Sequence, residues 1–304
     1  MIKRFRGSLL LLTAAVIWGT AFVAQSEGMR YVEPFTYNAI RTLLGGLVLI
    51  PVICGFRLAG RRNPDAEAAA DPAVTRKGGL CCGVLLFAAS SLQQAGIALT
   101  TAGKAGFLTA LYVVLVPLLS VFLHRRMPKR MWLCIAAAVA GFWLLCIREG
   151  FTVNRGDLLV LASAFFYALH IMTVDHFCGL RADGKVMSCM QFFTAGTLMT
   201  VCMLLFEHPV LQNILAAKGT ILYAGIMSCG AAYTFQILGQ RETAPALATL
   251  LMSLESVFAA LSGWLILKER LSAKELAGCA LVFGAVIAAQ LLTTGPANTS
   301  NRKD

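Results

Sequence analysis

The sequence predicts an all-α polytopic membrane protein with ten transmembrane helices arranged as two inverted five-helix repeats. Of its 304 residues, 58% are hydrophobic and only 13% are charged, a balance that is rare in water-soluble domains. The apolar residues form blocks of about 20, the length that an α-helix needs to cross a hydrocarbon core about 30 Å thick. The third observation is a weak similarity between the two halves of the chain.

The first apolar block follows a basic segment that begins at Lys3, as in a secretory signal peptide. The block runs past Trp18 to Gln25 without a small-residue cleavage site, so it is interpreted as an uncleaved first helix. The ten predicted spans are residues 8–25, 34–54, 78–99, 104–123, 130–148, 156–174, 187–206, 218–238, 244–267 and 272–292. The tail, residues 293–304, is predicted to be disordered and cytoplasmic.

The distribution of basic residues predicts the orientation of the chain. Lys and Arg are retained on the cytoplasmic side of membranes. If both termini are cytoplasmic, 17 of the 26 basic residues lie in cytoplasmic segments, 8 lie outside and Arg41 lies within a span. The sequence therefore predicts an inner (plasma) membrane protein with both termini in the cytoplasm.

Internal similarity divides the chain into two repeats, residues 1–149 and 150–292. A shift of 149 residues places Gly7 on Gly156 and Leu9 on Leu158, and a shift of 144 places Leu123 on Leu267. Because each half contains an odd number of spans, the second half is inverted relative to the first. Carriers that work by alternating access use this arrangement, with the solute near the midplane between the halves.

Composition argues against several other classes of protein. The net charge of +11 comes from residues between the apolar blocks, not from one basic face, so no nucleic acid partner is predicted. The ten cysteines include no C-x-x-C pair and are interpreted as reduced packing residues. The sequence contains no P-loop and no cluster of acid, base or nucleophile. It therefore predicts no catalytic residue, no cofactor and no metal site.

Five short motifs occur in a characteristic order between residues 8 and 292. They are Trp18-Gly19, Arg41, Ala105-Gly106-Phe107-Leu108, Ser253-Leu254-Glu255-Ser256-Val257-Phe258 and Glu269-Arg270-Leu271-Ser272. In this order and spacing the chain resembles the EamA-type branch of the drug/metabolite transporter superfamily. The resemblance implies ten helices in two repeats, a central cavity and transport of small organic solutes.

The chain departs from the family pattern at three places. His124-Arg125-Arg126 occupies a position where the family often has Gly-Glu-Arg, and Lys268 replaces the usual glycine before Glu269. Ser256 stands where many relatives have proline, so a break in the ninth helix is left open.

Glu255 is the leading candidate for a functional residue. It lies about eleven residues into its span, which is about 17 Å deep and close to the middle of the bilayer. A carboxylate at that depth costs about 2 to 3 kcal/mol unless it faces water or a partner, so such residues are functional candidates. Glu255 is predicted to bind an amine or to carry a coupling proton, and the alternative is a structural hydrogen bond to a neighbouring helix.

Arg41 lies about six residues, or about 9 Å, below the outer face of the second span. Its position predicts structural anchoring or pairing with an anion, because its head group can snorkel to the interface. Arg41 and Glu255 together would suit a zwitterion such as an amino acid.

The remaining substrate-binding or coupling candidates are polar or amphipathic side chains within spans, each of which could instead join neighbouring helices. His170 lies about four residues, or about 6 Å, from the predicted end of its helix, which favours an interfacial contact over a proton relay. Pro117 is a candidate hinge, because proline removes a backbone hydrogen bond. The other candidates are Trp18, Gln93, Gln94, Tyr112, Tyr167, Tyr233 and Gln236.

Small residues at every fourth position of the fifth and tenth spans predict tight packing of those helices within the chain, and a dimer interface is the alternative. They are Ala136, Ala140, Ala280, Gly284 and Ala288.

The sequence as a whole predicts a secondary transporter, with export as the expected direction, for a small organic metabolite such as an amino acid or related amine. A membrane scaffold or sensor without transport is the alternative, and a membrane-embedded enzyme is a weaker one. Coupling to a proton or another ion, and assembly as a homodimer, stay open.

Overall fold

A computed structural model describes residues 2–60, 70–100, 102–123, 128–146, 154–266 and 272–294. All the regular structure in these ranges is helical. Nine helical segments in this part of the chain are long and apolar enough to cross a membrane. The all-α polytopic class is therefore confirmed. The motifs at 124–126 and 268–271 lie outside the described residues, as does the predicted tail beyond residue 294.

Helical segments occupy all ten predicted spans. In the first half they are α1 (Ile2–Gly28), α2 (Pro34–Gly60), α3 (Pro72–Ile97), α4 (Ala102–Ala110), α5 (Tyr112–Phe122) and α6 (Lys129–Cys146). In the second half they are α7 (Arg155–Gly179), α8 (Gly184–Phe206), α9 (Leu211–Ala216), α10 (Lys218–Tyr223), a π-helical segment (Ala224–Ala232), α11 (Tyr233–Gln240), α12 (Pro245–Met252), α13 (Glu255–Ile266) and α14 (Ala273–Thr294). Of the ten predicted spans, only the fifth, which contains α6, has no counterpart among the nine apolar segments found in the described residues.

Two spans are broken near their middle. The fourth is interrupted by a turn at Leu111, between α4 and α5, and the ninth by a turn at Ser253 and Leu254, between α12 and α13. The ninth helix is therefore broken even though Ser256 replaces the family proline. Pro117 lies within α5, beyond the turn at Leu111.

The two halves repeat the same close helix packing. Against α1, a Cβ on Gly239 of α11 would lie 2.7 Å from Leu11 Cγ and 2.9 Å from the Gly7 carbonyl oxygen. A Cβ on Gly96 of α3 would meet α7 in the same way, at 2.5 Å from Val160 Cγ2 and 2.8 Å from the Gly156 carbonyl oxygen. The shift of 149 residues found in the sequence relates Gly7 to Gly156, so the matched contacts support the predicted repeat.

Replacing Gly96 with leucine tests this close packing. We expect Gly96→Leu to destabilise the protein by about 1 to 3 kcal/mol, because the nearest atoms include the backbone of α7. Thermal unfolding in detergent measures the effect. Gly284→Leu is the matched control, since a Cβ there would meet nothing within 4 Å. Equal melting temperatures for the two variants would contradict the packing described here.

The predicted pairing face of the fifth and tenth spans is wrong, although the two helices do pack together. Its residues, Ala136, Ala140, Ala280, Gly284 and Ala288, are all exposed at the surface. Helices α6 and α14 instead meet on a neighbouring face, where a Cβ on Gly141 would lie 2.6 Å from Val282 Cγ2 and 2.9 Å from the Gly278 carbonyl oxygen. The spacing of small residues did not identify the packed face, because other small residues, Gly141 and Gly278, form the close contact.

Helices α2 and α8 pack antiparallel, and a buried carboxylate fixes their relative position. Glu207, directly after α8, accepts hydrogen bonds from the backbone N–H groups of Phe35 (2.7 Å) and Thr36 (2.6 Å) in the first turn of α2. The Thr36 hydroxyl donates to the same carboxylate at 2.7 Å. These bonds satisfy N–H groups that have no partner within a helix.

Candidate functional site

A small cavity of about 40 Å³ lies between the two halves, where the broken helices meet α1, α2, α3 and α7. Both halves contribute to its wall. The lining residues are Trp18, Phe22, Gln25, Arg41, Gln93, Thr109, Tyr112, Tyr167, Ile171, Ser228, Tyr233, Gln236, Met252 and Glu255.

Glu255 begins α13, and Tyr112 begins α5, so both side chains follow directly from the breaks in their spans. The Tyr112 hydroxyl donates a 3.1 Å hydrogen bond to Glu255 Oε1, and both side chains are buried. A carboxylate in the first turn of a helix is stabilised by the unpaired N–H groups and the dipole there. The breaks thus bring a carboxylate and a phenol together in the cavity wall.

Arg41 is buried and does not reach the membrane surface. Its Nε donates to Asn38 Oδ1 at 2.8 Å, and Asn38 Nδ2 donates to the Ser90 carbonyl oxygen at 3.0 Å. The guanidinium also lies over the Tyr37 ring, 5.7 Å from its centre. No carboxylate among the described residues lies within 4 Å of it. The cavity therefore contains a guanidinium that has no acidic partner among the residues the structure describes.

A hydrogen-bonded group forms one wall of the cavity. Tyr167 donates from its hydroxyl to Gln93 Oε1 at 3.1 Å, and Gln93 Nε2 donates to the Thr109 hydroxyl, also at 3.1 Å. The Tyr167 hydroxyl lies 3.3 Å from that of Ser90. These contacts join α3, α4 and α7 and hold the polar side chains in fixed positions.

Three buried polar atoms in the lining have no hydrogen-bond partner within the described ranges. They are Trp18 Nε1, which can only donate, and Gln25 Oε1 and Gln236 Oε1, which can only accept. Buried polar groups in native proteins are nearly always paired, and an unpaired one costs about 1 to 3 kcal/mol. The three atoms are therefore suited to contact a polar solute in the cavity.

Most of the predicted candidates meet at this cavity. Eight line it, whereas Gln94 and Pro117 are buried away from it. His170 also lies outside the lining, and its predicted interfacial position is wrong. Helix α7 continues to Gly179, and the His170 side chain is completely buried, with Nε2 2.9 Å from Gln191 Oε1.

Sequence reasoning missed six lining residues. Gln25 lies at the predicted end of the first span, where a polar residue was expected to face water, and Thr109 and Ser228 are small residues typical of helix contacts. The apolar members, Phe22, Ile171 and Met252, carry no signal that separates a cavity wall from ordinary packing.

Comparison with known proteins identifies a family that covers most of the chain. The model of the EamA-like transporter family matches residues 5–147 and again residues 154–290. An uncharacterised transporter of Archaeoglobus fulgidus is 27% identical over 291 residues, which cover 95% of this chain and 87% of that protein. Protein PecM of Dickeya dadantii is 26% identical over 284 residues, 91% of this chain and 90% of PecM.

The fold also occurs among solved structures. One crystal structure superposes with a TM-score of 0.75 at 22% identity, covering 94% of this chain and 96% of its own. At that identity the likeness concerns the fold alone.

Proposed function

Because the chain belongs to the EamA-like transporter family, within the drug/metabolite transporter superfamily, we propose that it is a secondary carrier for a small zwitterionic metabolite such as an amino acid. It is a multi-pass membrane protein whose partners are the lipid bilayer and a solute. We further propose that the protein works by alternating access, that it exports its solute and that it has no enzymatic activity.

The observation that carries the substrate class is the presence of Arg41 and Glu255 in one cavity. The guanidinium has no acidic partner among the described residues, and the carboxylate is held by a hydrogen bond from Tyr112. A solute carboxylate would pair with Arg41 and a solute ammonium with Glu255. A related amine would bind to Glu255 alone. A bound cation or a coupling proton would then compete with the amine for the Glu255 carboxylate.

Alternating access draws support from the repeated packing of the two halves. The repeats, residues 1–149 and 150–292, correspond closely to the two segments matched by the family model. Discontinuous helices at a repeat interface commonly form the solute site of such carriers. The turns at Leu111 and Ser253 provide breaks at which the half-helices could tilt, with Pro117 as a further flexible point in α5.

The proposed setting is the plasma membrane, with both termini in the cytoplasm, and it follows from the distribution of basic residues. A scaffold or sensor without transport is the second candidate. It would share the fold, but it gives no reason for a cavity lined by a guanidinium and a carboxylate.

The proposal is tested by measuring binding and flux for the same solutes. Purified protein is screened by thermal shift against amino acids, amines, nucleosides and organic acids, because a ligand of the native state raises its apparent stability. Solutes that stabilise the protein are then tested for counterflow in proteoliposomes. We expect stabilisation and counterflow by amino acids or related amines. Stabilisation without any flux would favour the sensor, and flux restricted to another class would reject the zwitterion.

A further inference from the structure

The relation between the two halves of the chain places α2 on α8, and these two helices also contact each other. A Cβ on Gly46 of α2 would lie 3.2 Å from the Phe193 ring of α8, and a Cβ on Gly196 of α8 would lie 2.7 Å from Leu43 of α2. A shift of 150 converts one contact into the other, because it relates Gly46 to Gly196 and Leu43 to Phe193. Because the helices are antiparallel, this shift relates each position to one on the opposite side of the membrane.

The same shift relates Arg41 to Gln191 and Asn38 to Ser188. Arg41 and Gln191 are each the eighth residue of their helix, which places them about 10 Å from opposite ends of the helix pair. Ser188 is hydrogen-bonded at 3.1 Å to Thr234 of α11, as Asn38 is bonded to Ser90 of α3. Gln191 is thus the counterpart of Arg41 on the other side of the membrane.

Gln191 and His170 form a buried pair with two unsatisfied atoms. His170 Nε2 lies 2.9 Å from Gln191 Oε1, whereas His170 Nδ1 and Gln191 Nε2 have no partner in the described part of the chain. Both side chains are completely buried. If the imidazole is neutral, the pair offers one donor and one acceptor, whichever way the amide and the tautomer are assigned.

A single aromatic ring separates this pair from the cavity. Tyr233 lines the cavity and packs edge-on against Trp18, with ring centres 4.9 Å apart. It also packs edge-on against His170, at 6.1 Å, and against Phe192, at 5.6 Å. Movement of Tyr233 would therefore join the cavity to the His170–Gln191 pair.

We propose that His170 and Gln191 form a second solute-binding station, which a zwitterion occupies when the pathway opens on the side of the membrane opposite to Arg41. The Gln191 amide donates to the solute carboxylate, and the His170 ring nitrogen accepts from the adjacent ammonium. The station rests on the proposed transport function, and it extends that function from one binding site to two. Gln94 also has a buried amide, but within the described ranges that amide has no hydrogen-bond partner, and the shift of 150 does not relate Gln94 to Arg41.

The double variant His170→Phe/Gln191→Leu tests the station. Replacing both partners with apolar groups of similar size can be nearly neutral for stability, so the protein should fold. Gln94→Leu is the matched control, because it removes another buried and unpaired amide. Gln191→Leu alone is the second variant if the double variant is not recovered. Counterflow in proteoliposomes and the ligand-induced thermal shift are measured for each.

We expect the double variant to lose counterflow at least tenfold while it keeps the thermal shift that the solute produces at the first cavity. Gln94→Leu should behave like the wild type in both measurements. Counterflow equal to that of Gln94→Leu would overturn the station. The unpaired atoms of His170 and Gln191 would then bind only an ordered water. Loss of the thermal shift together with the flux would also overturn it, since the pair would then belong to the first site. Wild-type protein without any flux would instead reject the proposed function.

Discussion

Replacing Glu255 with glutamine should reduce transport about thirtyfold or more, because a buried charge partner removed from a solute ammonium costs about 2 to 5 kcal/mol. The change is nearly isosteric. The amide oxygen can still accept the hydrogen bond from Tyr112, which is 3.1 Å long in the wild type. The melting temperature should therefore stay at or above the wild-type value, since a buried carboxylate is removed. Counterflow and thermal unfolding of the same preparation give both values.

Glu27→Gln is the control for Glu255→Gln. Glu27 is a half-exposed residue of α1 that pairs with Arg30 at 3.2 Å and does not line the cavity, so its neutralisation removes an equal charge outside the site. Wild-type transport is expected. If Glu255→Gln also transported at the wild-type rate, Glu255 would be a structural residue and the amine site would be lost from the proposal.

One comparison distinguishes the two roles proposed for Glu255, which are binding of a solute ammonium and transfer of a coupling proton. A residue that binds the ammonium is needed both for solute exchange and for net flux. A residue that carries a coupling proton is needed for net flux along a proton gradient, whereas exchange of solute for solute can continue without it. Loss of both activities in Glu255→Gln would assign the amine role, and loss of net flux alone would assign the proton role.

Replacing Arg41 with methionine should abolish recognition of the solute carboxylate. Truncating one member of a buried charge pair costs about 2 to 5 kcal/mol, which corresponds to about thirtyfold or more in affinity. The matched amine without a carboxylate should lose little. Thermal-shift titration with an amino acid and with its decarboxylated amine measures the difference. Arg30→Met, at an exposed arginine, is the control and should change neither affinity.

Arg41→Met should not destabilise the empty protein as much as the loss of an ordinary buried ion pair does. The guanidinium is buried without a carboxylate among the described residues, and methionine keeps an unbranched chain of similar length. The loss is limited to the bond with Asn38, at 2.8 Å, and the contact with the Tyr37 ring. Equal weakening of both test solutes would show that Arg41 shapes the cavity and does not pair with the carboxylate.

The helices and the polar residues of the cavity could be predicted because hydrophobic length and buried charge leave direct signals in a sequence. The depth of Glu255 followed from counting residues along its span, and Tyr112 and Tyr167 followed from the rarity of polar groups in lipid. The turns at Leu111 and at Ser253 could not be predicted in this way. Neither contains proline or glycine, so the breaks depend on packing between the halves and not on local propensity.

The proposed His170–Gln191 station and the π-helical part of the eighth span could not be predicted from the sequence either. Gln191 was not a candidate, because one glutamine in a helix of 23 residues is most often a link between helices. Only the three-dimensional register of α2 against α8 relates it to Arg41. The π-helical turn from Ala224 to Ala232 is likewise invisible in the sequence, although such turns are frequent near functional sites.

The pairing of α6 with α14, described above, has a consequence for biosynthesis. Helix α6 is made before the 304-residue chain is half complete, whereas α14 is the last of the described helices to be made. The face of α6 that α14 covers must therefore stay in contact with lipid or with the insertion machinery while the intervening helices are made. The face of α2 that α8 covers must likewise stay in contact with lipid or with the insertion machinery until α8 is made. Neither half can bury its own interfaces alone, so a chain terminated before residue 273 should be a target for membrane quality control.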